Sequence, residues 1–186
     1  MRIKVCGVTR PADARLAARL GAWAVGMIFV PDTPRALTLS RAKRVRAAIP
    51  KGVLAVGVFR NPSPEVLSRY KKELRLDGVQ IYAHGRCVLM TSRRRLVLIE
   101  PPRTDADRRK GRAPSARARR AARLKAAVLR RRGTRVILAG GLTPENAAEA
   151  AAAKPFALDV SSGVEKRPGV KDARLLRAFF AAARRA

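Results

Sequence analysis

Short apolar runs and amphipathic stretches take turns along this chain. Residues 2–6, 24–30, 53–59, 78–82, 87–90, 96–100, 136–139 and 156–160 are runs of four to seven residues dominated by Val, Ile, Leu, Ala and Phe, a length and composition that suit strands. Between them, 11–20, 40–49, 64–74, 115–132, 144–153 and 172–185 repeat apolar residues three and four apart, as in Leu16, Ala17 and Leu20 or Leu175, Leu176, Phe179 and Phe180. That spacing gives a helix one buried face. Strands separated mostly by helices pair in parallel with the helices outside, and eight such units predict closure into a barrel. The predicted fold class is α/β, a TIM (β/α)8 barrel in shortened form, built as one domain over residues 1–186. Strand 2–6 alternates, so Lys4 and Cys6 share a face.

The two runs near the end stop abruptly at small residues. The first leads into Gly140-Gly141 and then Leu142-Thr143-Pro144-Glu145-Asn146, where Thr143 is the expected N-cap and Pro144 the first helical residue. Ser40 is the corresponding cap expected for 40–49. The second run ends in Asp159-Val160-Ser161-Ser162-Gly163. Glycine and serine at adjacent strand ends let backbone N–H groups converge on an anion. A phosphate cradle is therefore expected from Gly140, Gly141, Ser161, Ser162 and Gly163.

Composition narrows the function classes. At 186 residues and 47% hydrophobic the chain can bury one core, and no run reaches the ~18 apolar residues that span a bilayer. No membrane association and no secretion signal are expected. Two cysteines, Cys6 and Cys87, provide neither a disulfide framework nor a metal cluster, which suits a reducing cytoplasm. The charge is unusual: 42 Lys+Arg against 13 Asp+Glu gives +29. Residues 86–135 contain 18 basic and 3 acidic residues. These basic residues alternate with alanine, without aromatics to stack on bases, so a solvated helix face with nonspecific polyanion affinity is expected rather than a specific nucleic-acid site.

Several motifs together resemble phosphoribosylanthranilate isomerase, the barrel enzyme of tryptophan biosynthesis. They are Lys4-Val5-Cys6-Gly7-Val8-Thr9-Arg10, Ala24-Val25-Gly26-Met27-Ile28-Phe29 with Pro34-Arg35, and Val56-Gly57-Val58-Phe59. Toward the end they are Ala139 through Asn146, then Asp159 through Glu165 with Pro168-Gly169 and Lys171-Asp172. The resemblance implies an Amadori rearrangement of a phosphorylated aminoaldose, with no metal or organic cofactor. It puts the general base on Cys6, the aryl carboxylate on Arg35 and the ribose portion on Asp159. Lys4 is expected to favour the Cys6 thiolate.

Three departures qualify the resemblance. The family's acid, an Asp ending the sixth strand before a glycine-rich segment, is missing in recognisable form; Glu100 ends the corresponding strand and is the candidate replacement, with Asp105 or Asp107 as alternatives. The family's Gln-Leu-His-Gly becomes Gln80-Ile81-Tyr82-Ala83-His84-Gly85, so either Tyr82 or His84 takes the histidine's place. Where the family has a helix, strand and helix, only about ten residues precede Leu96, so the fifth β/α unit is expected to be truncated or missing, with a thin or open wall. The competing function is a noncatalytic phosphate-binding barrel whose 86–135 surface binds polyanions.

Overall fold

Along β1 (Arg2–Val5) side chains alternate between two cores. Ile3 and Val5 pack toward the helices, whereas Lys4, and Cys6 just past the strand, belong to the barrel interior. The same alternation continues through β2 (Ala24–Ile28), β3 (Leu54–Arg60), β4 (Gly78–Ala83), β5 (Arg86–Thr91), β6 (Arg95–Ile99), β7 (Val136–Ala139) and β8 (Ala157–Val160). These eight strands form a closed barrel in chain order, with β8 pairing back onto β1 through Arg2–Ala157 to Val5–Val160. The computed structural model describes residues 1–92, 94–101 and 114–185. The loop expected over 104–114 lies outside the described residues except for Pro114, as do Asp105 and Asp107.

Pairing is not parallel throughout, and the fifth strand is neither short nor absent. β5 runs antiparallel to both neighbours, in register from Gly78–Thr91 to Ala83–Arg86 on one side and from Val88–Val97 to Met90–Arg95 on the other. The turn chemistry explains the reversal. His84 and Gly85 have φ of 48° and 69°, the pair of positive values that a two-residue hairpin needs to match the strands' right-handed twist. The connection from β5 to β6 spans only residues 92–94, whereas a parallel crossover takes a dozen residues or more. The wall is therefore closed, and what the fifth unit lacks is its helices. Met90, on the outer face, is consequently 39% exposed.

Among the described residues six helices cover the rest: α1 (Pro11–Arg19), α2 (Leu39–Ala47), α3 (Pro64–Leu74), α4 (Ala116–Arg131), α5 (Ala147–Ala152) and α6 (Ala173–Arg184). Two caps differ from expectation. Thr38, not Ser40, caps α2 by accepting from Arg41 N. Helix α5 starts at Ala147 rather than Pro144 because Asn146 is used sideways: its Oδ1 accepts from Thr143 N at 2.9 Å and its Nδ2 donates to Gly141 O at 3.0 Å. This ties the turn after β7 to the helix that follows. Helix α6 buries Leu176, Phe179 and Phe180 completely, a contribution of roughly 1.5–3 kcal/mol for each side chain. Between β8 and α6 lies a 3-10 turn (Ser162–Val164), then a small antiparallel hairpin of β9 (Glu165–Arg167) and β10 (Val170–Lys171).

Candidate active site

A cavity of about 620 Å³ opens at the C-terminal ends of β1, β3, β7 and β8. Its wall includes Cys6, Arg35, Glu100, Gly140, Gly141, Asp159, Ser161 and Ser162. Thus eight of the nine expected site residues meet in one place. Gly163 is the exception, since it stands behind the wall. A Cβ there would fall 1.9 Å from the Leu142 carbonyl oxygen, so glycine at 163 lets the turns after β7 and β8 close on each other. Gly140 and Gly141 have φ of 85° and 69°, a backbone that residues with a Cβ adopt only under strain.

Cys6 sits beside Lys4, and Gly26 on β2 makes room for both. A Cβ on Gly26 would lie 2.8 Å from Cys6 Sγ and 3.2 Å from Lys4 Nζ. Lys4 is completely buried and donates to Asp159 Oδ2 at 2.7 Å across the β1–β8 pairing. Burial alone would discharge this lysine, but the charges of Asp159 and Cys6 more than offset that cost and raise its pKa. The expectation that Lys4 favours the thiolate holds only in sign. Burial raises the Cys6 thiol above its ordinary value, and Lys4 opposes that rise without cancelling it. The other oxygen of the carboxylate, Asp159 Oδ1, is buried without a hydrogen-bond partner among the described residues. An acceptor left this way in a cavity wall suits a ligand hydroxyl.

Glu100 follows β6 and accepts a hydrogen bond from Tyr82 Oη at 3.1 Å. Of the two candidates for the histidine's place, Tyr82 lies on β4 and lines this cavity. His84 belongs to the hairpin turn and faces a neighbouring cavity of about 580 Å³ that shares Arg60, Tyr82 and Glu100 with the first. Cys87 borders that second cavity, and burial pushes its thiol up to about 12.

Arg35 reaches the cavity in the grip of Glu165, with Nε–Oε1 at 3.0 Å and Nη2–Oε2 at 2.6 Å. Lys171 donates to the same Oε1 at 2.9 Å and to the Ser161 carbonyl at 3.0 Å. Burial would lift Glu165, yet these two cations hold it below the ordinary carboxylate range. Sequence reasoning missed Glu165, Lys171 and Arg60 as site residues. Glu165 and Lys171 lie within the motifs that carry the family resemblance, a signal that could have found them, whereas nothing marks Arg60 among 42 basic residues.

Comparison with known proteins gives a consistent picture. The family model described as N-(5'phosphoribosyl)anthranilate (PRA) isomerase matches residues 3–98 and 120–182. The unmatched interval contains Glu100. An N-(5'-phosphoribosyl)anthranilate isomerase of Trichlorobacter lovleyi is 35% identical over all of this chain and 99% of its own length. One from Halorhodospira halophila is 36% identical over 97% and 95%. Among solved structures, phosphoribosyl anthranilate isomerase from Thermus thermophilus superposes with a TM-score of 0.76 at 35% identity, covering 98% of both chains. A second, in complex with reduced 1-(o-carboxyphenylamino)-1-deoxyribulose 5-phosphate, gives 0.75 at 29% identity over all of both chains.

Proposed function

This chain belongs to the N-(5'-phosphoribosyl)anthranilate isomerase family of tryptophan biosynthesis, and we propose that Cys6 and Glu100 carry its reaction as base and acid. The reaction is an intramolecular aldose–ketose isomerisation by Amadori rearrangement, and the substrate is a small phosphorylated molecule. In the first step Glu100 gives its proton to the furanose ring oxygen, the C–O bond to the anomeric carbon breaks, and nitrogen's lone pair forms the protonated Schiff base. In the second, Cys6 as thiolate takes the proton from the adjacent carbon, and those electrons neutralise the iminium nitrogen. The resulting enolamine tautomerises to the aminoketose. The observation that carries this reading is the meeting of Cys6 and Glu100 on one cavity wall beside the glycine and serine turns.

The remaining residues bind. Gly140, Gly141, Ser161 and Ser162 hold the phosphate, with Gly163 setting the spacing between their turns. Asp159 Oδ1 takes a ribose hydroxyl. Arg35, kept in place by Glu165, presents its planar cation to the aryl carboxylate. No helix among the described residues is long and apolar enough to cross a membrane, and the work is done in the cytoplasm. Expression of the chain should restore growth without tryptophan to a strain lacking this isomerase, and Cys6→Ser should not; failure of the unaltered chain refutes the reading. Titration with a phosphorylated product analogue should shift the amide resonances of residues 140, 141 and 161–163. Unmoved resonances would remove the phosphate from these turns.

The basic surface plays no part in this chemistry. Arg117 and Arg120 lie exposed on α4, while Arg119 donates to Pro114 O and Arg123 pairs with Glu149. Outer helices of a barrel are remote from the face where chemistry occurs. Serine at Arg117, Arg119, Arg120 and Arg123 together should leave turnover within about twofold and lower the salt needed to elute the protein from heparin. Lost turnover at constant salt would bring α4 into the site.

A further inference from the structure

The contact between Tyr82 and Glu100 has a direction, and the direction matters for proton transfer. Gln80, fully buried in the barrel, donates from Nε2 to Tyr82 Oη at 3.1 Å. An amide nitrogen only donates, so the phenol oxygen is the acceptor there. Its single hydrogen is left for Glu100 Oε1, also at 3.1 Å. That oxygen must present a lone pair to the phenol.

We propose that Tyr82 is a positioning residue: by donating to Glu100 Oε1 it fixes the orientation in which the carboxyl group meets the substrate. The proposal rests on Glu100 being the acid. The surroundings keep Tyr82 a donor. Burial, and then the negative charges of Glu100, Cys87, Cys6 and Asp159, hold its phenol well above the ordinary value. Among the described residues, the cations lining the cavities that border this group are Arg35, Arg60, Arg86, Lys125, Lys166 and Arg167, and Lys4 acts on the neighbouring Cys6 and Cys87. Tyrosine at the end of β4 and glutamate after β6 are brought together across β5, Tyr82 lying opposite Cys87 in the hairpin. The strand reversal thus serves the acid directly.

Tyr82→Phe keeps the ring and removes the donor. Its kcat should fall about tenfold, the loss expected for a hydrogen bond to a charged group, with KM within about threefold. Tyr82→His, which can donate, should recover part of the loss. In a Glu100→Gln background Tyr82→Phe should cost nothing further. A Glu100→Gln enzyme of full activity would overturn the acid assignment and this inference with it. A crippled Glu100→Gln enzyme beside a silent Tyr82→Phe would overturn the role of Tyr82 alone.

Discussion

Cys6→Ser is expected to lower kcat by roughly 10²–10⁴ while affinity for the aminoketose product changes no more than about threefold. The asymmetry follows from what a base does. It acts on a proton in flight and adds little to the ground state, so its loss appears in kcat rather than in binding. The pH dependence carries the second signature. Burial raises the Cys6 thiol, so at neutral pH most molecules hold the proton that must leave before the base can work. With Glu100 needed in its acid form, the signature is the position of one limb: the limb of the pH–rate profile that reports Cys6 should lie above the ordinary thiol value. In Cys6→Ser that limb should vanish, since a hydroxyl does not titrate there. Near-full turnover in the variant, with the limb intact, would make Cys6 a packed residue and no more.

Glu100→Gln should cost roughly 10²–10⁴ in kcat, the range for loss of a positioned acid. Glutamine is the informative replacement because its carbonyl still accepts the hydrogen bond from Tyr82, so geometry is preserved while the transferable proton is lost. Glutamate is a methylene longer than the aspartate that the family uses. A backbone set slightly farther back would accommodate it, and the rigid Pro101 immediately after Glu100 limits the paths the chain can take there. Should Glu100→Gln keep its activity while Asp105 or Asp107 variants lose theirs, the acid comes from the following segment.

Much of the site was legible because it depends on strand period and strand ends. Lys4 and Cys6 share an interior face since side chains alternate every residue, and small residues after β7 and β8 announce themselves wherever the chain stops being apolar. The direction of β5 was harder to see. Cys87–Met90 is apolar whichever way it runs, and only the pairing of two apolar runs about a two-residue X-Gly turn, His84-Gly85, could have signalled a hairpin. Other features were beyond reach in principle. The Arg35–Glu165 pair joins residues 130 positions apart, and the balance between burial and Lys4 at Cys6 depends on a degree of enclosure that no local pattern encodes.

The reversed β5 also changes the order in which the barrel is cheapest to assemble. Strands β4, β5 and β6 form a local meander within residues 78–99, with tight turns that close small loops at little cost in chain entropy. The seam between β1 and β8 joins Lys4 to Asp159 across 155 positions, the sort of distant pairing that slows folding. A helical crossover on each side of β5 would have removed this compact starting point. The meander carries Tyr82 and leads to Glu100, whereas Cys6 follows the strand at the β1–β8 seam. The two proposed reacting groups therefore meet only in a closed ring.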